Sequence, residues 1–158
     1  MKQRLVPTEY QPVVEWLLPQ LRPWRKMTIA IDGVDHAGKS SLGRFLAWQS
    51  GMPVIETDLT LTKGPEPAAN AGLPVPVHDG SLLLKLIEGR HKLDRPVLVE
   101  GVFVLQQLDA IGMTPDLLIE MRATGVNGSW RKEFVAYRQS YPRANVPDFV
   151  VTRVANDA

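Results

Sequence analysis

Gly33-Val34-Asp35-His36-Ala37-Gly38-Lys39-Ser40 is the stretch that decides the fold of this chain. It matches the pattern G-x-x-x-x-G-K-S/T at every fixed position. Before it stands an apolar run, Met27 to Ile31, that reads as a buried strand. After it Leu42, Phe45, Leu46 and Gln49 keep a 3.6-residue period until Gly51, the spacing of a helix closed by glycine. Between a strand and a helix the two glycines let the backbone curl, so that the N–H groups of Gly33, Val34, Asp35, His36, Ala37 and Gly38 turn inward, and the helix start near Lys39 adds its positive end. The result is an anion cradle. Lys39 would set its ammonium against the β- and γ-phosphates of a nucleoside triphosphate, the Ser40 hydroxyl would take one position on Mg²⁺, and Ser41 would add a hydrogen bond to the α-phosphate.

Working outward, Thr8 and Gln11 have the spacing of a capping box, and Val13, Val14, Leu17, Leu18 and Leu21 predict an amphipathic helix that Pro19 kinks or ends. Val54 to Thr57 predicts a second strand. From Lys63 to Val77 four prolines and two glycines predict a surface loop with no regular element. Ser81 to Glu88 predicts a helix, Pro96 to Val99 a buried strand, Val104 to Ile111 a helix, Asp116 to Met121 a strand, Trp130 to Tyr141 a helix, and Asp148 to Val154 a closing strand. Strands alternating with helices predict an α/β fold: a five-stranded parallel sheet covered on both faces, in one domain spanning residues 1–158.

Charge and composition narrow the function. Eighteen Lys and Arg against 17 Asp and Glu give no basic surface of the sort nucleic-acid binding needs. The chain has no cysteine, hence no disulfide framework and no thiolate metal site, and no apolar run of spanning length, so a cytoplasmic protein without membrane partners is expected.

Several side chains complete a phosphoryl-transfer site. Asp58 follows the second strand, where the carboxyl ends of parallel strands line the ligand crevice, and is placed to orient or deprotonate an acceptor hydroxyl, although a short acid after a strand is as often a turn residue; Glu56 is its alternative. Glu100 ends the strand Leu98-Val99-Glu100-Gly101, a position suited to holding a magnesium water. Arg131 and Arg138 share one helix face beside the stripe Trp130, Phe134, Tyr137 and Tyr141, and either face over a bound triphosphate or form a solvated basic face. Asp79 reads as a helix N-cap, His91 as a surface residue, and no histidine has metal-site spacing.

With these residues in view, the helix before the first strand, the loop from Asp32 to Ser40, the strand end Val97-Leu98-Val99-Glu100-Gly101 and the segment His78-Asp79-Gly80-Ser81-Leu82-Leu83 make the chain similar to the uridine kinase and phosphoribulokinase group of P-loop kinases. That resemblance implies a five-stranded parallel sheet, use of ATP with magnesium, an acid after the second strand for the acceptor hydroxyl (Asp58), a metal-side carboxylate (Glu100), and a mobile arginine-bearing lid (Arg131 or Arg138). Compared with uridine kinases, the stretch from Asp58 to Pro96 is short and is expected to lack room for the hairpin lobe that grips the nucleoside, and Asp58-Leu59-Thr60-Leu61 replaces their Asp-Ser/Thr-Phe-Tyr. The loop also resembles that of thymidylate kinases, without their Asp-Arg-Tyr motif. A regulatory GTPase would carry Asn-Lys-x-Asp for its guanine base, and that motif does not occur. The expectation is an ATP-dependent kinase for a small hydroxyl-bearing molecule, with a nucleotide-binding module lacking transferase activity as the alternative.

Overall fold

The computed structural model describes residues 7–67, 74–126 and 128–154. Its strands are β1 (Met27–Asp32), β2 (Val54–Glu56), β3 (Leu61–Pro67), β4 (Pro74–His78), β5 (Pro96–Glu100), β6 (Leu117–Thr124) and β7 (Phe149–Val154). The α-helices are α1 (Gln11–Leu17), α2 (Lys39–Ser50), α3 (Gly80–His91), α4 (Val104–Asp109) and α5 (Arg131–Ser140). Five strands form one parallel sheet in the order β2-β5-β1-β6-β7.

The sheet is apolar on both sides because alternate residues of each strand feed different cores. Ile29, Ile31, Leu98, Ile119 and Met121 pack with Val13, Val14 and Leu17 of α1 and Leu42 and Leu46 of α2. Ala30, Val97, Val99 and Leu118 pack with Leu83 and Ile87 of α3, Leu105 and Leu108 of α4, and Phe134 and Tyr137 of α5. Helices therefore cover both faces of the central sheet in three layers. β1 lies at its middle, with β5 on one side and β6 on the other, so the loop after Asp32 opens at the carboxyl edge where the chain switches direction across the sheet.

Three local expectations are overturned. Residues 63–77 do not form an irregular loop: β3 and β4 pair antiparallel, Leu61 opposite His78 and Pro67 opposite Pro74, with register shifts between Leu61 and Lys63 and between Lys63 and Glu66. Both strands of a two-stranded ribbon are edges, where a missing proline N–H interrupts no second ladder. Residues 68–73 of that stretch lie outside the described residues. The hairpin and α3 both fit between Asp58 and Pro96, so the short stretch does have room for a hairpin. The capping box also fails. Residues Thr8–Tyr10 form a 3-10 turn with no side-chain cap, and the Gln11 amide donates to Glu15 Oε1 at 3.0 Å instead. Pro19 does end the first helix, in a 3-10 segment at Leu18–Leu21, and Asp79 caps α3 by accepting from the Leu82 N–H at 3.1 Å. Among the described residues no helix is long and apolar enough to cross a membrane.

Candidate active site

The cradle begins at the end of β1. Gly33 has φ 151°, and a Cβ there would stand 2.5 Å from the Met121 carbonyl oxygen of β6, so no side chain fits between the loop and the neighbouring strand. His36 is also held at positive φ, 62°, with its ring largely in solvent, so its backbone shapes the loop. Gly38 enters α2 in the left-handed region, and the Leu42 N–H closes the first helical turn on its carbonyl at 3.0 Å. Ala37 is buried, and its N–H reaches the Val34 carbonyl at 3.3 Å.

Lys39 is only 7 % exposed, and its ammonium donates to the same Val34 carbonyl at 2.7 Å. Burial lowers its pKa, opposed by the charges of Glu100, Asp32, Asp35 and Asp58. Ser40 donates to Glu100 Oε1 at 2.8 Å, so a hydroxyl and a carboxylate from α2 and β5 meet beside Lys39. Burial pushes the Glu100 carboxyl up, against the Ser40 hydrogen bond and the Lys39 charge. Ser41 is exposed on the next helical position.

Gly101 brings the two flanking strand ends together. A Cβ at Gly101 would collide with the Thr57 side chain, so the absence of one lets the turn after β5 lie directly against the turn after β2. That second turn, Thr57–Thr60, carries Asp58 on its exposed side. The alternative acid, Glu56, is occupied: Arg44 Nε and Nη2 clasp its two oxygens at 2.5 and 2.9 Å.

On the opposite flank Arg131 and Arg138 do share a face. With Gly33, Val34, Glu120 and Phe134 they line a cavity of about 470 Å³ beside the phosphate loop. Arg131 is exposed, whereas Arg138 is half-buried, ion-paired with Glu120, and lies 5.2 Å over the Phe134 ring.

Three features carry no signal in the sequence. Asp35 accepts from the Ser129 N–H at 2.8 Å and from Trp130 at 3.5 Å, which ties the phosphate loop to the start of the arginine helix. Burial opposes its ionisation, but these amides prevail and its pKa is lowered. Arg153 of β7 lies against the loop, with a guanidinium nitrogen 3.1 Å from where a Cβ on Gly38 would stand. Asp32 is 2 % exposed and accepts from the Tyr137 hydroxyl of α5 at 2.9 Å, while its Oδ1 has no partner among the described residues.

Asp32 carries a testable pH dependence. Burial raises its pKa from 3.8 to about 6, more than Tyr137, the Gly33 amide, Lys39 and Arg138 lower it. A raised acid binds its proton more tightly folded than unfolded. Its contribution is therefore complete below the ordinary value of 3.8 and is lost as pH rises towards about 6. The loss is on the order of 3 kcal/mol. Urea unfolding should show the parent losing stability relative to Asp32→Asn across that window; a difference independent of pH would contradict the assignment.

No protein-family model and no curated protein sequence matches the chain. Solved structures do. A possible uridine kinase from Bacillus stearothermophilus superposes with a TM-score of 0.56 at 16 % identity over 90 % of this chain and 98 % of that one. A protein proposed to be a fructose transport system kinase, from Silicibacter sp. TM1040, gives 0.51 at 16 % identity over 92 % and 99 %. The parallel sheet, the loop after its central strand and these likenesses agree: the chain has the P-loop kinase fold of the uridine kinase-like group.

Proposed function

We propose that the chain is an ATP-dependent kinase that transfers a γ-phosphoryl group to the hydroxyl of a small molecule. The observation that carries this reading is the convergence of Lys39 and the Ser40–Glu100 pair, 2.8 Å apart, on a glycine-turned loop at the carboxyl edge of a parallel sheet. A buried ammonium beside a glycine-turned loop and a helix start suits a polyphosphate. Four carboxylates act on Lys39, so the site would disfavour a bare triphosphate and take one whose charge is reduced by magnesium. Ser40 and Glu100 offer hard oxygen donors for that ion, which would neutralise phosphate charge when bound.

Among the carboxylates at this edge, Asp58 alone accepts no hydrogen bond or ion pair from a described residue: Asp35, Glu56, Glu100 and Glu120 are all engaged, and Asp32 is buried under Tyr137. The chemistry assigned to it is in-line displacement. The acceptor O–H gives its proton to the Asp58 carboxylate, the oxygen forms a bond to the γ-phosphorus, and the bond from that phosphorus to the β–γ bridging oxygen breaks, releasing ADP. Lys39 spreads the charge of the leaving oxygens, and Arg131, at the mouth of the flanking cavity, supplies a cation from the solvent side.

Thermal unfolding with Mg·ATP and Mg·GTP, followed by phosphoryl-transfer assays on a panel of alcohols, tests the reading. Ligand binding to the native state raises the melting temperature. A shift with Mg·ATP and turnover with one acceptor are expected. A shift without turnover on any alcohol would leave a nucleotide-binding module, and no shift with either nucleotide would remove the phosphate-loop assignment.

A further inference from the structure

The arginine helix α5 begins without a cap of its own. Trp130 stands at its N-cap position and makes no side-chain hydrogen bond to the first turn. Its entry is held instead from the phosphate loop. Asp35 Oδ2 accepts from the Ser129 N–H at 2.8 Å and Oδ1 from the Trp130 N–H at 3.5 Å, and these are the two residues just before Arg131. Gly128 makes the approach possible, since a Cβ there would stand 2.5 Å from Asp35 Oδ1.

The two arginines of α5 depend on this hold unequally. Arg138 is ion-paired with Glu120 and lies over the Phe134 ring, so its side chain is fixed from β6 and from its own helix. Arg131 is exposed and makes no hydrogen bond or ion pair to a described residue. Where its guanidinium can reach is therefore set by the backbone that carries it, and Asp35 pins that backbone one residue earlier.

An acid at this point of the loop also needs a partner. The Asp35 charge reaches Lys39, so with open oxygens it would repel a polyphosphate bound there. Two N–H groups at the positive end of a ten-residue helix take up that charge. The other group beside Oδ2, His36 Nε2 at 3.6 Å, belongs to a ring largely in solvent.

We infer that Asp35 is a positioning residue for the triphosphate: through Ser129 and Trp130 it sets the start of α5 so that Arg131 reaches the γ-phosphate of a nucleotide in the loop, and Gly128 serves by leaving that carboxylate room. The inference rests on the role given to Arg131 in the transfer reading above and adds a side chain that acts through the helix.

Calorimetry on the full chain tests it, with the non-hydrolysable β,γ-imido analogue of Mg·ATP and with Mg·ADP. Arg131→Met should cut the parent's preference for triphosphate over diphosphate about tenfold, the size of one lost hydrogen bond between charged groups. Asp35→Ala should cut it to the same level from the loop side. Gly128→Ala should do so from the helix side, because the added methyl displaces the carboxylate. Arg131→Met added to either should change the preference no further. Asp35→Asn keeps an acceptor oxygen for the Ser129 N–H and should retain most of the preference. A role of Asp35 in folding alone would weaken both nucleotides alike and leave their ratio unchanged. The inference is overturned by an unchanged ratio in Arg131→Met or in both Asp35→Ala and Gly128→Ala, by effects that add to that of Arg131→Met, or by an Asp35→Asn as impaired as Asp35→Ala. Failure of the parent to bind either nucleotide would overturn it together with the phosphate-loop assignment. Coupling of Asp35 to Arg131 with no alcohol phosphorylated would uphold the positioning role and overturn the transfer reading; turnover with additive effects would do the reverse.

Discussion

Replacing Lys39 by methionine should abolish the rise in melting temperature produced by Mg·ATP while leaving the ligand-free protein about as stable as its parent. The two halves of this expectation have separate causes. Hydrogen bonds to charged groups contribute about 1.5–3 kcal/mol each, so loss of an ammonium spanning two phosphates should weaken binding by about a hundredfold or more. At a nucleotide concentration that gives the parent about 2.7 kcal/mol of stabilisation, the variant would retain only a few tenths. For a chain of this size that is a shift of about 5–10 °C reduced to about 1 °C.

The ligand-free protein behaves differently because Lys39 is a desolvated cation. Burial lowers its pKa in spite of Glu100, Asp32, Asp35 and Asp58, so the charged form gains less from the fold than it loses from leaving water. Methionine keeps the packed stem and removes that charge. Differential scanning fluorimetry of parent and variant, with and without Mg·ATP, reads both effects. An unchanged nucleotide shift in Lys39→Met would mean that the loop is not a phosphate cradle.

The elements visible in the sequence are those whose physics is local. Met27–Ile31 and Pro96–Val99 are near-continuous apolar runs because both faces of their sheet are covered, and such runs read as buried strands without knowledge of their neighbours. The phosphate loop is visible because its glycines and its Lys39-Ser40 pair must stand at fixed spacing to turn a backbone around an anion. The arginine helix is visible because Phe134 and Tyr137 are core residues at helical spacing, which places Arg131 and Arg138 on the adjacent face whether or not they meet a ligand.

What the sequence hides is long-range or irregular. Prolines in β3 and β4 look like breakers in a one-dimensional reading, yet a two-stranded ribbon with shifted register accommodates them, and only the partner strand shows that the segment is regular. Asp32 with Tyr137 and Asp35 with Ser129 are joined across 105 and 94 residues of sequence and leave no periodic trace. These contacts bind the arginine helix to the phosphate loop from two sides, so whatever displaces α5 must break a buried hydroxyl–carboxylate bond as well as an exposed amide–carboxylate one.

Asp58→Asn should lower kcat for phosphoryl transfer by about a hundredfold to ten-thousandfold, the range of a positioned general base, with nucleotide affinity unchanged. Position in the fold gives this residue its distinct expectation. It stands on the turn after β2, held against the end of β5 by the close approach of Gly101 to Thr57, and its charge is felt at both Lys39 and Glu100. Asparagine preserves the size and one acceptor oxygen but cannot take a proton, so binding of the acceptor should change little while turnover falls. Because Asp58 is exposed and engages no described partner, the substitution should alter unfolding stability by no more than about 0.5 kcal/mol, which separates a chemical role from a folding defect. Steady-state kinetics on the acceptor identified by the panel, together with Mg·ATP binding by calorimetry, makes the measurement. Normal kcat in Asp58→Asn would assign the acceptor proton to another group. A loss of nucleotide affinity in step with kcat would show instead that Asp58 acts through the field at Lys39, where it is one of four carboxylates that raise the ammonium pKa.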